Sequence, residues 1–315
     1  MLPATVIDVG STQFPGPWPA QTITVSGRQL TVRRAEPTEH AGHFQPALFI
    51  HGLGGSSLDW TGLMGLVQSE MLSEAIDLPG FGYSPPSPRR RDCTIAGYAR
   101  LVADFIKFND RGSVHLIGNS LGGAVATRVA ALRPELVRTL TLISPALPDL
   151  RLTRTTAMVG AVGVPGFGAR ISRKLQTIAP ERRLELLLNM IFANPHAVTP
   201  EWRDFAVDEI RRRSELPYSS TVLARGTRAI ISAYTDPRPD RLWRLAARVQ
   251  APTLLVYGRE DKLVHPRTAS RAVRTFPNSR LLMLAKSGHV AQLEHPEVVA
   301  EAIRELVRLQ AARPD

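Results

Sequence analysis

The chain has 315 residues, 43% of them hydrophobic, so one large domain, or a core domain with an inserted unit, is expected. The formal net charge of +11 suggests an anionic partner, yet only four of the 39 basic residues are lysine. No zinc spacing, aromatic RNP motif or basic-zipper heptad accompanies the charge, so composition does not indicate a nucleic-acid-binding protein.

The compartment is predicted from what the sequence lacks. A single cysteine, Cys93, excludes an internal disulfide and a cysteine metal cluster. The first residues do not have the basic and apolar regions of a secretory signal. No uncharged apolar run approaches the roughly 18–20 residues of a membrane span. We therefore expect a soluble cytoplasmic protein.

Short apolar runs bounded by turn residues are typical of strands. Eight such runs occur, at 22–25, 29–33, 46–50, 74–77, 113–117, 139–143, 253–257 and 280–284. Most are continuously apolar, as strands buried on both faces of a parallel sheet are. Helical periodicity predicts helices at 57–69, 94–108, 121–132, 267–275 and 290–311. The alternation predicts an α/β fold with a mostly parallel eight-stranded sheet whose first two strands form an antiparallel hairpin.

One long interval, residues 146–248, has no convincing buried strand. Residues 174–192 and 201–213 have the pattern of amphipathic helices, and the uncharged, glycine-rich run 157–169 is expected to be a mobile apolar lip. Residues 151–249 hold 17 basic and 9 acidic side chains, which is +8 of the total +11. The predicted organisation is an N-terminal extension, a first core part, a helical cap and a second core part, at 1–20, 21–145, 146–248 and 249–315.

Residues 118–122 read Gly-Asn-Ser-Leu-Gly and match G-x-S-x-G between a predicted strand and a predicted helix. A turn this tight pushes its central residue toward positive φ, and the positions two before and two after must be nearly bare. The Ser120 Oγ then stands at the N-terminus of a helix, where a developing anion is stabilised. Ser120 is therefore the candidate nucleophile, and Gly118, Asn119 and Gly122 form its elbow.

A nucleophilic serine needs a base, and the base needs an orienting acid. His289 follows the last predicted strand and starts the final helix, from where a side chain reaches across the top of a parallel sheet. Asp261 follows the seventh predicted strand and is the candidate acid, with Asp149 as the alternative. Asp77 is better explained as a residue that organises its loop.

Four further motifs accompany GNSLGG, in this order: HGLGGSSLDW (51–60), DLPGFGYS (77–84), GREDKLV (258–264) and SGHVAQLEHP (287–296). On these motifs, residues 22–311 resemble the capped, esterase- and lipase-like proteins of the α/β-hydrolase fold. The resemblance, and the order Ser120, Asp261, His289, imply a catalytic triad that needs no metal or cofactor. They also imply an oxyanion hole made by the backbone N–H groups of Leu53 and Leu121, and a histidine, His51, that braces its loop.

The substrate is the more open part of the prediction. The apolar lip favours a small hydrophobic ester or a monoglyceride-like lipid, cleaved through an acyl-enzyme. GNSLGG and AQLEHP are also similar to carbon–carbon bond hydrolases of vinylogous diketones, although those usually carry tryptophan where this chain has Val290. A perhydrolase or haloperoxidase-like enzyme, a thioesterase and a lactonase are further alternatives, as is a non-catalytic receptor or scaffold. The basic cap is compatible with peripheral contact to an anionic membrane.

Overall fold

The core is an eight-stranded sheet in the computed structural model, which describes residues 16–35, 44–149, 153–164, 166–235 and 241–312. The strands are β1 (Ala20–Val25), β2 (Arg28–Ala35), β3 (Gln45–Ile50), β4 (Met71–Ile76), β5 (Val114–Asn119), β6 (Val137–Ile143), β7 (Thr253–Gly258) and β8 (Ser279–Leu284). Their order is β1-β2-β4-β3-β5-β6-β7-β8. Only the β1–β2 and β2–β4 pairs are antiparallel. The predicted fold class and the antiparallel first hairpin are confirmed, whereas most of the predicted N-terminal extension lies outside the described residues.

Helices cover both faces of the sheet. They are α1 (Thr61–Leu66), α2 (Ile95–Asn109), α3 (Leu121–Leu132), α4 (Arg154–Val162), α5 (Phe167–Gln176), α6 (Pro180–Ile191), α7 (Pro200–Glu215), α8 (Ser219–Thr235), α9 (Leu242–Ala246), α10 (Arg267–Thr275), α11 (Ala291–Glu294) and α12 (Pro296–Ala311). Side chains alternate along each strand, so Leu48 and Ile50 join the apolar layer with α2 and α3. Phe49, between them, joins the opposite layer with α1 and α12.

Two predicted helices are interrupted at prolines. The helix predicted at 290–311 is divided into α11 and α12 at His295, which has φ −143° and ψ 54° and precedes Pro296. Proline disfavours helical geometry in the preceding residue and has no N–H to donate. For the same reason the helix predicted at 174–192 is divided, with α5 ending before Pro180 and α6 beginning at it.

In the described residues, the interval between β6 and β7 contains six α-helices, α4–α9, and we call the first five, α4–α8, the insertion. Most of the described residues of the run 157–169, the expected mobile apolar lip, belong to α4 and α5. The glycine-rich run is therefore largely helical, and its role as a lip stays a prediction. None of the helices in the described residues is both long and apolar enough to span a bilayer.

Candidate active site

Ser120 occupies a strained corner between β5 and α3. Its φ of 52° and ψ of −114° lie outside the regions that residues with a side chain favour, at a cost of about 1–3 kcal/mol. Three backbone hydrogen bonds hold this conformation: Ser120 N donates to Ile143 O, and Ser120 O accepts from Ala124 N and Ala146 N. The strain is thus compensated by the end of β6 and the first turn of α3.

The elbow glycines allow two close backbone approaches. A Cβ at Gly118 would lie 2.5 Å from the carbonyl oxygen of Gly122, so the turn itself requires a bare position. A Cβ at Gly122 would lie 2.1 Å from Ile50 O, which is the end of β3. Gly122 therefore also sets how closely α3 packs on the neighbouring strand.

His289 and Asp261 form a buried pair. His289 Nδ1 lies 2.9 Å from Asp261 Oδ2, while Asp261 Oδ1 accepts from the N–H groups of Leu263 and Val264 at 2.8 and 2.9 Å. Burial alone would raise the pKa of Asp261, but the imidazole and these hydrogen bonds outweigh it, so the pKa is lowered. The ionised carboxylate can only accept, so Nδ1 carries the proton and Nε2 of the neutral ring is left as a base. Asp149, the alternative acid, does not hold this position.

Asn119 links the elbow to the loop 285–290, which carries His289 and which we call the histidine loop. Its buried Nδ2 donates to Ile143 O and to His289 O, both at 3.1 Å. One amide therefore fixes the backbone beside Ser120 relative to the backbone of His289. Within the described part of the chain, Ser120 Oγ makes no hydrogen bond to His289; such bonds are often long in unliganded sites and tighten when substrate binds.

His51 braces the loop that carries Leu53. Its Nε2 accepts from Leu78 N at 3.0 Å, so Nδ1 bears the hydrogen and donates to Gly52 O at 2.7 Å. Complete burial lowers the pKa of His51, which keeps the ring neutral in this double role. Asp77 organises the adjoining loop, as expected, because its carboxylate accepts from Ser57 N and Tyr83 N.

The two N–H groups implied to form an oxyanion hole belong to Leu121, at the start of α3, and to Leu53, in the loop after β3. Leu121 is the first residue of α3, so its N–H has no partner inside the helix. Leu53 follows Gly52, whose carbonyl oxygen accepts from His51 Nδ1. In the ranges that the structure describes, neither N–H donates to a protein acceptor. The hydrogen-bonding capacity of both N–H groups is therefore unused by the described protein atoms.

The insertion contacts the Leu53 loop through Arg213 of α7. Its guanidinium donates to Gly54 O and to Ser56 Oγ, the latter at 3.2 Å. Asp59 closes the same loop by accepting from Ser56 N at 3.2 Å. Burial raises the pKa of Asp59 to about 6, although the positive charge of Arg213 opposes that shift. A side chain of the insertion therefore takes part in shaping the loop.

A second contact of α7 lies beside the first. Tyr83 Oη donates to Glu209 Oε1 at 2.6 Å, and Arg212 Nη2 donates to Gly82 O at 3.0 Å. The guanidinium of Arg212 also lies 3.9 Å from the centre of the Tyr83 ring. Burial would raise the pKa of Glu209, but Arg212, Tyr83 and Arg213 lower it overall, so the carboxylate stays charged.

The insertion also contacts the histidine loop, through the end of α6. His289 N donates to Ile191 O at 2.7 Å. Glu294 accepts from Ala193 N at 2.7 Å and from Gly288 N at 2.6 Å. Burial raises the pKa of Glu294, with the two N–H groups opposing the shift. Glu294 thus joins the backbone on one side of His289 to the segment after α6.

These supporting residues were not assigned from the sequence. Glu294 lies within the motif at 287–296, but nothing in the pattern indicates its partners. Arg213 is one of many arginines in a basic interval, and its acceptor Gly54 is 159 residues away. Among the described residues, no group of three or more histidine, cysteine, aspartate or glutamate side chains could hold a metal ion.

Comparison with known proteins gives one family match and several relatives. The model of the alpha/beta hydrolase fold family matches residues 45–296. The acetyltransferase component of the acetoin cleaving system of Pseudomonas putida is 28% identical over 96% of this chain and 73% of that protein. A 2-hydroxy-6-oxo-6-(2'-aminophenyl)hexa-2,4-dienoic acid hydrolase of Metapseudomonas resinovorans is 28% identical over 83% of each chain. The structure of a putative lipase from Acinetobacter baumannii superposes with a TM-score of 0.76 at 20% identity, covering 99% of this chain and 100% of that one.

Proposed function

Because the chain belongs to the alpha/beta hydrolase fold family, we propose that it is a serine hydrolase that cleaves carboxylic esters through an acyl-enzyme. The observation that carries the proposal is the hydrogen bond between His289 and Asp261, on a loop tied by Asn119 to a serine at positive φ. A serine beside a base that is oriented by a third group is the arrangement that nucleophilic catalysis requires.

Each proposed step uses a group already described. His289 Nε2 takes the Ser120 proton while Oγ attacks the carbonyl carbon, and the resulting oxyanion is stabilised by the N–H groups of Leu53 and Leu121. The tetrahedral intermediate collapses, the alcohol leaves with the proton from His289, and the acyl group stays on Ser120. Water activated by His289 then releases the acid, while Asp261 stabilises the imidazolium in both halves.

The insertion supports a hydrophobic substrate and the role of a cap. Leu223 of α8 packs at Gly54, and Gly226 leaves room for the side chains of Leu53 and Phe81. The helix next to the proposed oxyanion hole therefore presents apolar side chains. An acyl ester or a monoglyceride-like lipid fits these surroundings best.

A carbon–carbon bond hydrolase is the second candidate, favoured by the 28% identity to the hexadienoic acid hydrolase over 83% of each chain. Val290 stands where those enzymes usually have tryptophan. The two functions differ in the bond that is broken, so one substrate panel separates them. Nitrophenyl esters of increasing acyl length, a monoglyceride and a vinylogous diketone should be compared by kcat/KM. The ester function predicts preferential cleavage of an ester, and preference for the diketone would replace it.

The nucleophile is tested by covalent labelling. A fluorophosphonate probe should label the wild type and leave Ser120→Ala unlabelled. Ser144→Ala is the matched control, because Ser144 also has positive φ, at 42°, directly after a strand. A folded wild type that does not react, or a Ser120→Ala variant that still does, would contradict the proposal and favour a receptor or scaffold.

A further inference from the structure

The α4–α5 pair exposes apolar side chains at the outer surface of the insertion. Met158, Val164 and Phe167 have exposed fractions of 73%, 50% and 52%. Among residues 153–178 whose burial is described, only the glycines 163 and 168 are buried. Large apolar side chains exposed close together in sequence are a feature of protein and membrane contact sites. We therefore treat this segment as a candidate contact surface.

The charge of the same region has one sign. The helices α4, α5 and α8 contain six basic residues and no acidic residue. In α6 and α7, by contrast, arginines pair with acids, as Arg211 does with Glu181 and Asp208. No ion pair involves Arg170, Arg173 or Lys174 within the described ranges. Within the described residues, the positive charge of the insertion that has no acidic partner is thus concentrated on the helix that carries Phe167.

We propose that the α4–α5 pair docks on an anionic lipid surface. Apolar side chains flanked by basic ones are the composition of helices that lie in a membrane interface, where the cations meet lipid phosphates. A second copy of the chain would also cover the apolar side chains, but a two-fold contact would place two sets of uncompensated cations against each other. Charge complementarity therefore favours lipid over self-association.

The docking surface adjoins the proposed active site through one helix. Arg228 of α8 donates to Gly163 O at 3.2 Å, which fixes the α4–α5 connection to α8. The opposite side of α8 contacts Leu53 through Gly226. If the proposed ester hydrolysis holds, α8 would lie between the lipid surface and the Leu53 loop of the candidate active site. The docking itself does not depend on that activity.

Vesicle flotation of the full chain tests the docking. The protein should float with vesicles that contain phosphatidylglycerol, remain behind with phosphatidylcholine alone, and detach as salt is added. The pair Arg173→Gln/Lys174→Gln should weaken binding by about tenfold or more. Phe167→Ser should weaken it by about tenfold, since half of the ring is available for transfer into lipid.

Two controls separate a specific surface from general properties of the chain. Arg280→Gln/Arg308→Gln removes the same charge from exposed positions elsewhere, and Phe108→Ser removes a ring that is 56% exposed on α2. Both should bind like the wild type. Absence of flotation by the wild type, or equal losses in the controls, would overturn the proposal.

Light scattering tests self-association. A dimer that dissociates in Phe167→Ser would assign the surface to a second copy and overturn lipid docking, whereas a monomer at all concentrations supports it. Flotation is measured for the wild type and repeated in the Ser120→Ala background, because docking needs no hydrolysis. Failure of docking is thereby distinguished from failure of the proposed function, which is read from fluorophosphonate labelling.

Discussion

The helices α3 and α7 both contact the candidate active site, but they differ in how much of their surface is buried. The core helix α3 buries ten of its twelve residues, whereas α7 of the insertion buries two of sixteen. The proposed nucleophile, Ser120, therefore stands at the start of a helix fixed by apolar packing and a close backbone approach at Gly122. Arg213 reaches the Leu53 loop from a helix held by hydrogen bonds, ion pairs and a smaller apolar cluster with α6. Changes in α7 should consequently alter kinetics before they alter stability.

The largest effect is expected in the core. Asp261→Asn should lower kcat by about a thousand- to ten-thousand-fold, because an amide does not hold His289 in the required tautomer or stabilise its cation. The folded state should persist, since hydrogen bonds from Leu263 and Val264 can still be accepted. Steady-state kinetics on a nitrophenyl ester measure the effect. Glu260→Gln is the matched control at the adjacent exposed position, and equal losses in both variants would refute the assignment of Asp261.

The second largest effect on kcat is expected where the insertion contacts the histidine loop. Glu294→Gln replaces an acceptor of two N–H groups with a side chain that can accept from only one of them. We expect kcat to fall by about ten- to a hundredfold through displacement of His289, with a smaller change in KM. The rate of fluorophosphonate labelling should fall in parallel. Glu301→Gln, on the surface of α12, should leave both rates unchanged; a loss of stability without slower labelling would make Glu294 merely structural.

Arg213→Gln should have a smaller effect, because His51 and Asp77 still hold the loop. We expect kcat to fall by about tenfold while KM changes little, since the lost hydrogen bonds position an oxyanion donor. Affinity for a boronic acid that mimics the tetrahedral intermediate should fall with kcat/KM. Arg211→Gln, two residues away and exposed, is the matched control. A change in KM alone would place Arg213 in substrate binding instead.

The last prediction concerns stability and pH rather than the rate of reaction. Burial raises the pKa of Asp59 to about 6, above its ordinary value of 3.8, so the native state binds a proton that the unfolded chain has already released between these values. The contribution of Asp59 to stability is therefore present at low pH and is lost as pH rises through about 4 to 6. The free energy of unfolding of Asp59→Asn should match that of the wild type near pH 4 and exceed it above about pH 6. Urea midpoints across this range test the sign, with Asp208→Asn as the control for removing one charge.

The parts that the sequence predicts are those set by local pattern. The helices at 121–132 and 267–275 have the predicted bounds, and the proline at 296 explains why the last predicted helix is divided. Ser120, His289 and Asp261 were selected from short motifs at strand ends. The partners of Asn119 and Arg213 could not be predicted in this way, because they depend on which distant backbone carbonyls the packed fold brings within reach.

The two hydrogen bonds of the Asn119 amide have a consequence for motion. One side chain joins the end of β6 to the histidine loop, and Ser120 N and His289 N are themselves bonded to Ile143 O and Ile191 O. In hydrogen exchange, the amides of Ser120 and His289 should therefore open together, at a free energy close to that of global unfolding. The proposed nucleophile and its proposed base would then form one cooperative unit, lost in a single event.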